Sequence, residues 1–127
     1  MSYTNEIGRV GEDMVADFLQ SRGYVILRRN YYSRYGEIDI IAESPKKLLF
    51  VEVKTRRENS LVSPADAVDY YKERKIANTA YDFLRKLHLN TKVRFDVAEV
   101  TYKIVNGEKR FSLNYIKNAF SADFLTV

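Results

Sequence analysis

The 127-residue chain has no cysteine, so disulfides and thiolate chemistry are excluded. It has no tryptophan and a single histidine, His88, placed near the end of an expected helix. A contact with the helix dipole is the expected role there, rather than catalysis. No stretch approaches the roughly 18 apolar residues of a membrane span. The opening MSYTNEIGRVGEDM lacks the apolar run of a signal peptide. Membrane contact is therefore not expected, and a cytoplasmic location is. No repeat, linker or low-complexity segment divides the chain, and residues 1–127 are read as one domain long enough to bury a core.

What is present is an apolar frame with a modest basic excess. The net charge of +4 suits a polyanionic partner such as nucleic acid, without requiring one. Residues 5 to 22 carry Ile7, Val10, Met14, Val15, Phe18 and Leu19 at helical spacing, closed by Gly23. Glu12 falls on the flank of that stripe, and Gly8 and Gly11 would leave room for a close neighbour. The run YVILRRNYY, 24 to 32, is expected to be an edge strand. Strands at 36–43 and 48–55 follow, joined by a turn containing Ser44-Pro45. Ser63-Pro64-Ala65-Asp66 is a helix start, and that helix should reach about Leu87 with Val68, Ile76, Ala80, Phe83 and Leu87 inward. Lys72 projects within this face and Lys75 lies at its edge. Residues 93–102 form another strand, and Asn106-Gly107 signals a hairpin. The tail from Asn118 forms a short helix or packs down. The order α-β-β-β-α-β-β predicts an α/β fold with a mixed β-sheet flanked by helices.

The chemistry concentrates in GEIDIIAESPKKLLFVEVKTRR, residues 36 to 57. Asp39 lies between Ile38 and Ile40, Glu52 between Val51 and Val53, and Lys54 shares the face of Glu52. If hairpin partners sum to 91, Asp39 faces Glu52 and Glu37 faces Lys54, with Ile41 and Phe50 on the same face. A slip of one residue would separate the acids. Two carboxylates in an apolar setting need a cation. Lys54, an arginine or a divalent metal could supply it, and hard oxygen ligands suit Mg²⁺ or Mn²⁺. Such a centre fits phosphodiester hydrolysis. Lys54 either orients or deprotonates the water, or stabilises the pentavalent transition state. Glu12 could extend the site, and Lys72 could meet a phosphate. The structural alternative is a cross-strand ion pair on a solvated face. Tyr31, Tyr32 and Tyr35, interleaved with Arg29 and Arg34, suit either base stacking or core packing. Asp96, inside another apolar strand, is expected to pair with Arg94 or a helix residue.

Asp39, followed by Glu52-Val53-Lys54, resembles the D…(D/E)xK signature of the restriction-endonuclease-like superfamily. The ordered blocks GRVGEDMVADFLQSRGYVILRRN, GEIDIIA, FVEVKTR, AVDYYKERK and RFDVAEV resemble the YraN-like family of predicted endonucleases, over roughly residues 8 to 98. That family is similar to archaeal Holliday junction resolvases. The resemblance implies a restriction-endonuclease-like fold and an Mg²⁺- or Mn²⁺-dependent endonuclease acting on DNA, branched or otherwise irregular. It implies Asp39, Glu52 and Glu12 as metal ligands, Lys54 as the catalytic lysine and Lys72 in support. Lys75, Arg56, Arg34 and Tyr35 are the further candidates for nucleic-acid contact. RNA is not distinguished, since nothing in the sequence reads a 2′-hydroxyl. By analogy a homodimer is expected. The rival expectation is a non-catalytic nucleic-acid-binding module on the same scaffold.

Overall fold

The structure is a computed structural model that describes residues 4–60, 70–87 and 91–121. Helix α1 (Thr4–Ser21) precedes strands β1 (Val25–Ser33), β2 (Gly36–Ser44) and β3 (Lys47–Arg57). Helix α2 (Tyr70–Leu87) and strands β4 (Lys92–Val105) and β5 (Glu108–Phe120) complete the order. The five strands form one sheet in the order β1-β2-β3-β4-β5. Only β3 and β4 are parallel, with α2 between them in the chain. This is the mixed sheet expected, with β1 at an edge.

Each hairpin has a local cause. Asn106 and Gly107 take φ of 52° and 80° between Val105 and Glu108, the left-handed pair that matches strand twist in a two-residue turn. Ser44 pairs with Lys47 across Pro45-Lys46, and Ile40, Ile41 and Ala42 pair with Val51, Phe50 and Leu49. Every pair in that hairpin sums to 91, so the expected register holds from Ser44–Lys47 to Ile40–Val51, and the expected Asp39–Glu52 and Glu37–Lys54 pairs lie beyond the ladder. The Ser63-Pro64 helix start, Val68 and His88 lie outside the described residues. The tail expectation changes in part: Asn118 to Phe120 continue β5 as strand.

The two helices cover opposite faces. Val15, Ala16 and Leu19 of α1 bury Ile40, Ala42, Leu49, Val51, Ala98 and Val100. Ile76, Ala77, Ala80 and Phe83 of α2 bury Ile38, Ile41, Leu48, Phe50 and Phe95. Burial of these side chains contributes about 1.5–3 kcal/mol for each large one, the main force holding the layers together. Two expected core positions are corrected: Val10 is 44% exposed and Leu87 45% exposed. On α1 the buried line instead runs Gly11, Val15, Leu19, because Gly11 sits directly against β3. A Cβ at Gly11 would collide with Thr55, whereas one at Gly8 would meet nothing within 4 Å. Only Gly11 provides the close approach that both glycines suggest.

Strand alternation breaks at one place that matters. Ile38 packs on the α2 side and Ile40, two residues on, packs on the α1 side. Asp39 lies at the exchange. At the matching position of β1, Asn30 has φ 53°, a left-handed conformation that asparagine tolerates better than most residues. That backbone turn sends both Arg29 and Asn30 toward Glu12 of α1, while Tyr31 faces Phe83 of α2 edge-on. Among the described residues no helix is long and apolar enough to cross a membrane.

Candidate functional site

Chain direction gathers the candidate residues at one end of the sheet. β3 runs toward Arg57 at this end, and antiparallel β2 begins here at Gly36. α2 also starts here: Lys72 shares a hollow with Glu52, and Lys75 packs over Gly36. Farther along α2, Thr79 meets Ser33 and Asp82 meets Tyr31, so the helix runs away from this end.

The β2–β3 ladder stops at Ile40–Val51. At the next position the Asp39 carboxylate replaces a backbone acceptor, and the Val53 N–H donates to Asp39 Oδ2 at 2.7 Å. Asp39 is thereby pinned where the two strands part. Burial pushes its carboxyl up to about 8, with the charge of Glu52 adding to the shift and the Val53 hydrogen bond opposing it. Glu12 and Glu37 raise it further. The Glu52 carboxyl is also raised, again first by burial, while Lys72 and then Lys54 pull it down. The charge of Glu52 thus acts on Asp39, and two ammonium groups act on Glu52.

Glu52, Lys54 and Lys72 line a hollow of about 210 Å³ together with Thr55, Arg56 and Ser60. Glu12 lines a second hollow, of about 250 Å³, on the α1 side with Ile7, Gly8, Val53, Thr55, Arg56 and Tyr102. The end of β3 separates the two. Glu12 is partly buried and accepts hydrogen bonds from Arg29 Nη2 at 3.4 Å and Asn30 Nδ2 at 3.3 Å. Among the described residues no three histidine, cysteine, aspartate or glutamate side chains come close enough together to hold a metal ion. Glu52 and Glu12 thus line different hollows, while the charges of both act on Asp39.

The outlying candidates divide similarly. Arg56 borders both hollows and pairs with Glu99 at 3.7 Å. Lys75 is exposed on α2. Arg34 donates to the Tyr35 hydroxyl at 2.8 Å and lies 5.0 Å over its ring, in the turn between β1 and β2. Tyr31 is committed to packing, through Asp82 at 2.9 Å and Phe83. Asp96 pairs with Arg94 as expected, accepting from its Nε and Nη2 at 2.9 Å each. It also accepts from the Tyr115 hydroxyl at 2.6 Å and the Asn118 N–H at 2.9 Å.

The sequence reading missed Thr55, and it placed Arg29 among the tyrosines without foreseeing its hold on Glu12 and Asp13. Thr55 Oγ1 is buried without a hydrogen-bond partner, pressed against Gly11. The signal for it was the glycine immediately before Glu12. Arg29 holds Glu12 and Asp13, the latter at 2.8 Å, and no local pattern announces a contact across 17 residues.

Residues 11–100 match the family model described as "Uncharacterised protein family UPF0102". A UPF0102 protein of Clostridium botulinum (strain 657 / Type Ba4) is 42% identical over 123 residues, covering 94% of this chain and 98% of the relative. A UPF0102 protein of Clostridium perfringens (strain 13 / Type A) is 41% identical over 120 residues, covering 93% and 96%. On the family match and these relatives together, the chain belongs to the UPF0102, or YraN-like, family.

Proposed function

We propose that the protein is a metal-dependent endonuclease that hydrolyses phosphodiester bonds in DNA. The observation that carries this reading is the coupled pair Asp39 and Glu52, fixed where β2 and β3 part, with Lys54 and Lys72 beside Glu52. Two carboxylate oxygen donors of like charge, in a partly buried setting, fit a hard divalent cation such as Mg²⁺ or Mn²⁺, which would offset their repulsion. When bound, such an ion supplies a water of lowered pKa and offsets charge growing on phosphorus oxygens.

The chain's own groups divide the remaining work. Asp39 is oriented by the Val53 N–H, which donates to its Oδ2, and supplies the first oxygen donor. Glu52 supplies the second donor. Lys54, two residues on along β3, reaches the same hollow and orients the attacking water or stabilises the charge of the transition state. Lys72, at the start of α2, meets the phosphate on the other side of that hollow. Glu12, held by Arg29 and Asn30, contributes through water from across β3.

The basic groups around the hollow, Lys54, Arg56 and Lys72, also suit a second reading, a module that binds nucleic acid on this scaffold and does not cut it. The two readings part in one assay. Purified protein is incubated with labelled single-stranded, duplex, flapped and four-way-junction DNA, and an RNA strand, in Mg²⁺ or Mn²⁺. The nuclease reading predicts cut product on at least one substrate, abolished by Glu52→Ala and by Asp39→Ala with binding preserved. Salt-sensitive binding with no product on any substrate would leave the binding module.

A further inference from the structure

Among the described residues five tyrosines are large exposed side chains, and four of them stand at the end of the sheet that carries the site. Tyr32 is 68% exposed and Tyr35 39% exposed, on and beside the β1–β2 turn. Tyr70 and Tyr71, 56% and 74% exposed, open α2, directly before Lys72 of the hollow. Lys75, one helical turn further, packs over Gly36, which follows Tyr35. The two tyrosine pairs therefore flank one site from adjacent elements.

Their chemistry is specific in two ways. Rings this exposed leave aromatic surface open to a stacking partner. Each pair is also joined to a guanidinium. Arg34 lies 5.0 Å over the Tyr35 ring, and Arg74 lies 5.6 Å over the Tyr70 ring, whose centroid is 6.2 Å from that of Tyr71. Flat rings interleaved with cations form the surface that unpaired nucleobases and their phosphates recognise, bases stacking on rings and phosphates meeting arginine or lysine. A fully paired duplex offers its phosphates to the cations but keeps its bases stacked on one another.

We propose that Tyr35 and Tyr71 stack on unpaired bases of a nucleic-acid strand and thereby select substrates with a single-stranded segment beside the cut position. The inference rests on the nuclease reading for the word substrate, but the binding surface does not require cleavage. Arg34 and Arg74 hold the neighbouring phosphates, with Lys75 between the two pairs. The tyrosines act as specificity-determining residues and take no part in the reaction.

The test measures binding in metal-free buffer, so that cleavage plays no part. The probes are a labelled twenty-nucleotide oligothymidylate, the same length of abasic strand, the matching oligouridylate and a blunt hairpin duplex. Wild-type protein should bind the thymidylate roughly tenfold or more tightly than the abasic strand, the range expected for one or two stacked bases. Tyr71→Ala and Tyr35→Ala should each remove most of that ratio while leaving duplex affinity unchanged. Tyr71→Phe should retain it, and Tyr81→Ala, at an exposed ring farther along α2, should alter nothing. Equal affinity for thymidylate and abasic strands, or alanine variants that keep the ratio, would overturn the proposal. A uridylate affinity equal to that of thymidylate supports stacking and assigns no preference between DNA and RNA. If the stacking ratio holds but no substrate is cut in Mg²⁺ or Mn²⁺, only the nuclease reading fails.

Discussion

Two aspartates sit in neighbouring parts of the same sheet and live in opposite circumstances. Asp96 on β4 is 0% exposed, yet both its oxygens are occupied by the Arg94 fork, the Tyr115 hydroxyl and the Asn118 N–H. Asp39 on β2 receives one backbone N–H and faces the carboxylate of Glu52. A buried charge that is paired and hydrogen-bonded holds a structure together, whereas a partly buried carboxylate set against another is retained at a cost in stability. Burial alone therefore does not mark a functional acid; incomplete satisfaction does.

The difference should first appear in stability. Asp96→Ala leaves the Arg94 guanidinium and the Tyr115 hydroxyl without their acceptor, and should cost about 3–5 kcal/mol in denaturant unfolding. A loss below about 1 kcal/mol would remove Asp96 from the structural side of the contrast.

Asp39→Asn should move the other way. The folded-state pKa of Asp39, about 8, lies above its ordinary value of 3.8. Its contribution is thus fully present below the ordinary value and lost as pH rises toward 8. Metal-free wild type should lose stability through that window, and Asp39→Asn should flatten the decline, gaining about 1–3 kcal/mol near pH 8. Mn²⁺ should raise the melting temperature of the wild type by mass action and do so less for Asp39→Asn. An unchanged pH profile in the variant would place Asp39 with Asp96.

A smaller contrast concerns the two glycines of α1. Gly11→Ala drives a methyl into Thr55 and should cost about 1–3 kcal/mol. It should also weaken any activity that depends on Glu12, the next residue. Gly8→Ala meets open space inside a helix and should stabilise by up to about 1 kcal/mol. Equal effects at both sites would show that α1 does not press on β3 as the structure has it.

The smallest effect expected is at Glu12. Glu12→Gln replaces a charge held by Arg29 on a partly exposed flank, and should change stability by about 0–1 kcal/mol. A change in metal-dependent activity without a change in stability would tie Glu12 to the reaction.

Much of this arrangement was legible in the sequence because it is local. Asn106-Gly107 dictates its turn, and the apolar alternation around Ser44-Pro45 sets a register in which Ile40 meets Val51 and Ile41 meets Phe50. The influence of Glu52 on Asp39, and of Lys54 on Glu52, is in keeping with that register, although the ladder itself ends at Ile40–Val51. What was not legible depends on tertiary placement. Alternation predicted Ile38 and Ile40 on one face, and nothing in GEIDII reveals the exchange that the left-handed Asn30 imposes from the adjacent strand. Helical periodicity put Val10 inward, but the close contact of Gly11 with Thr55 turns α1 so that Val10 is exposed. Glu12 lines the hollow on the α1 side, away from the hollow of Glu52, where spacing alone allowed the two to meet.

The most direct test of the central claim is calorimetric titration of Mn²⁺ into the wild type, Asp39→Asn and Glu52→Gln proteins at pH 7.5. The account predicts saturable binding by the wild type, accompanied by proton release, and a large loss of affinity in either variant. Wild type and variants that bind Mn²⁺ equally, or a wild type that takes up none, would contradict it.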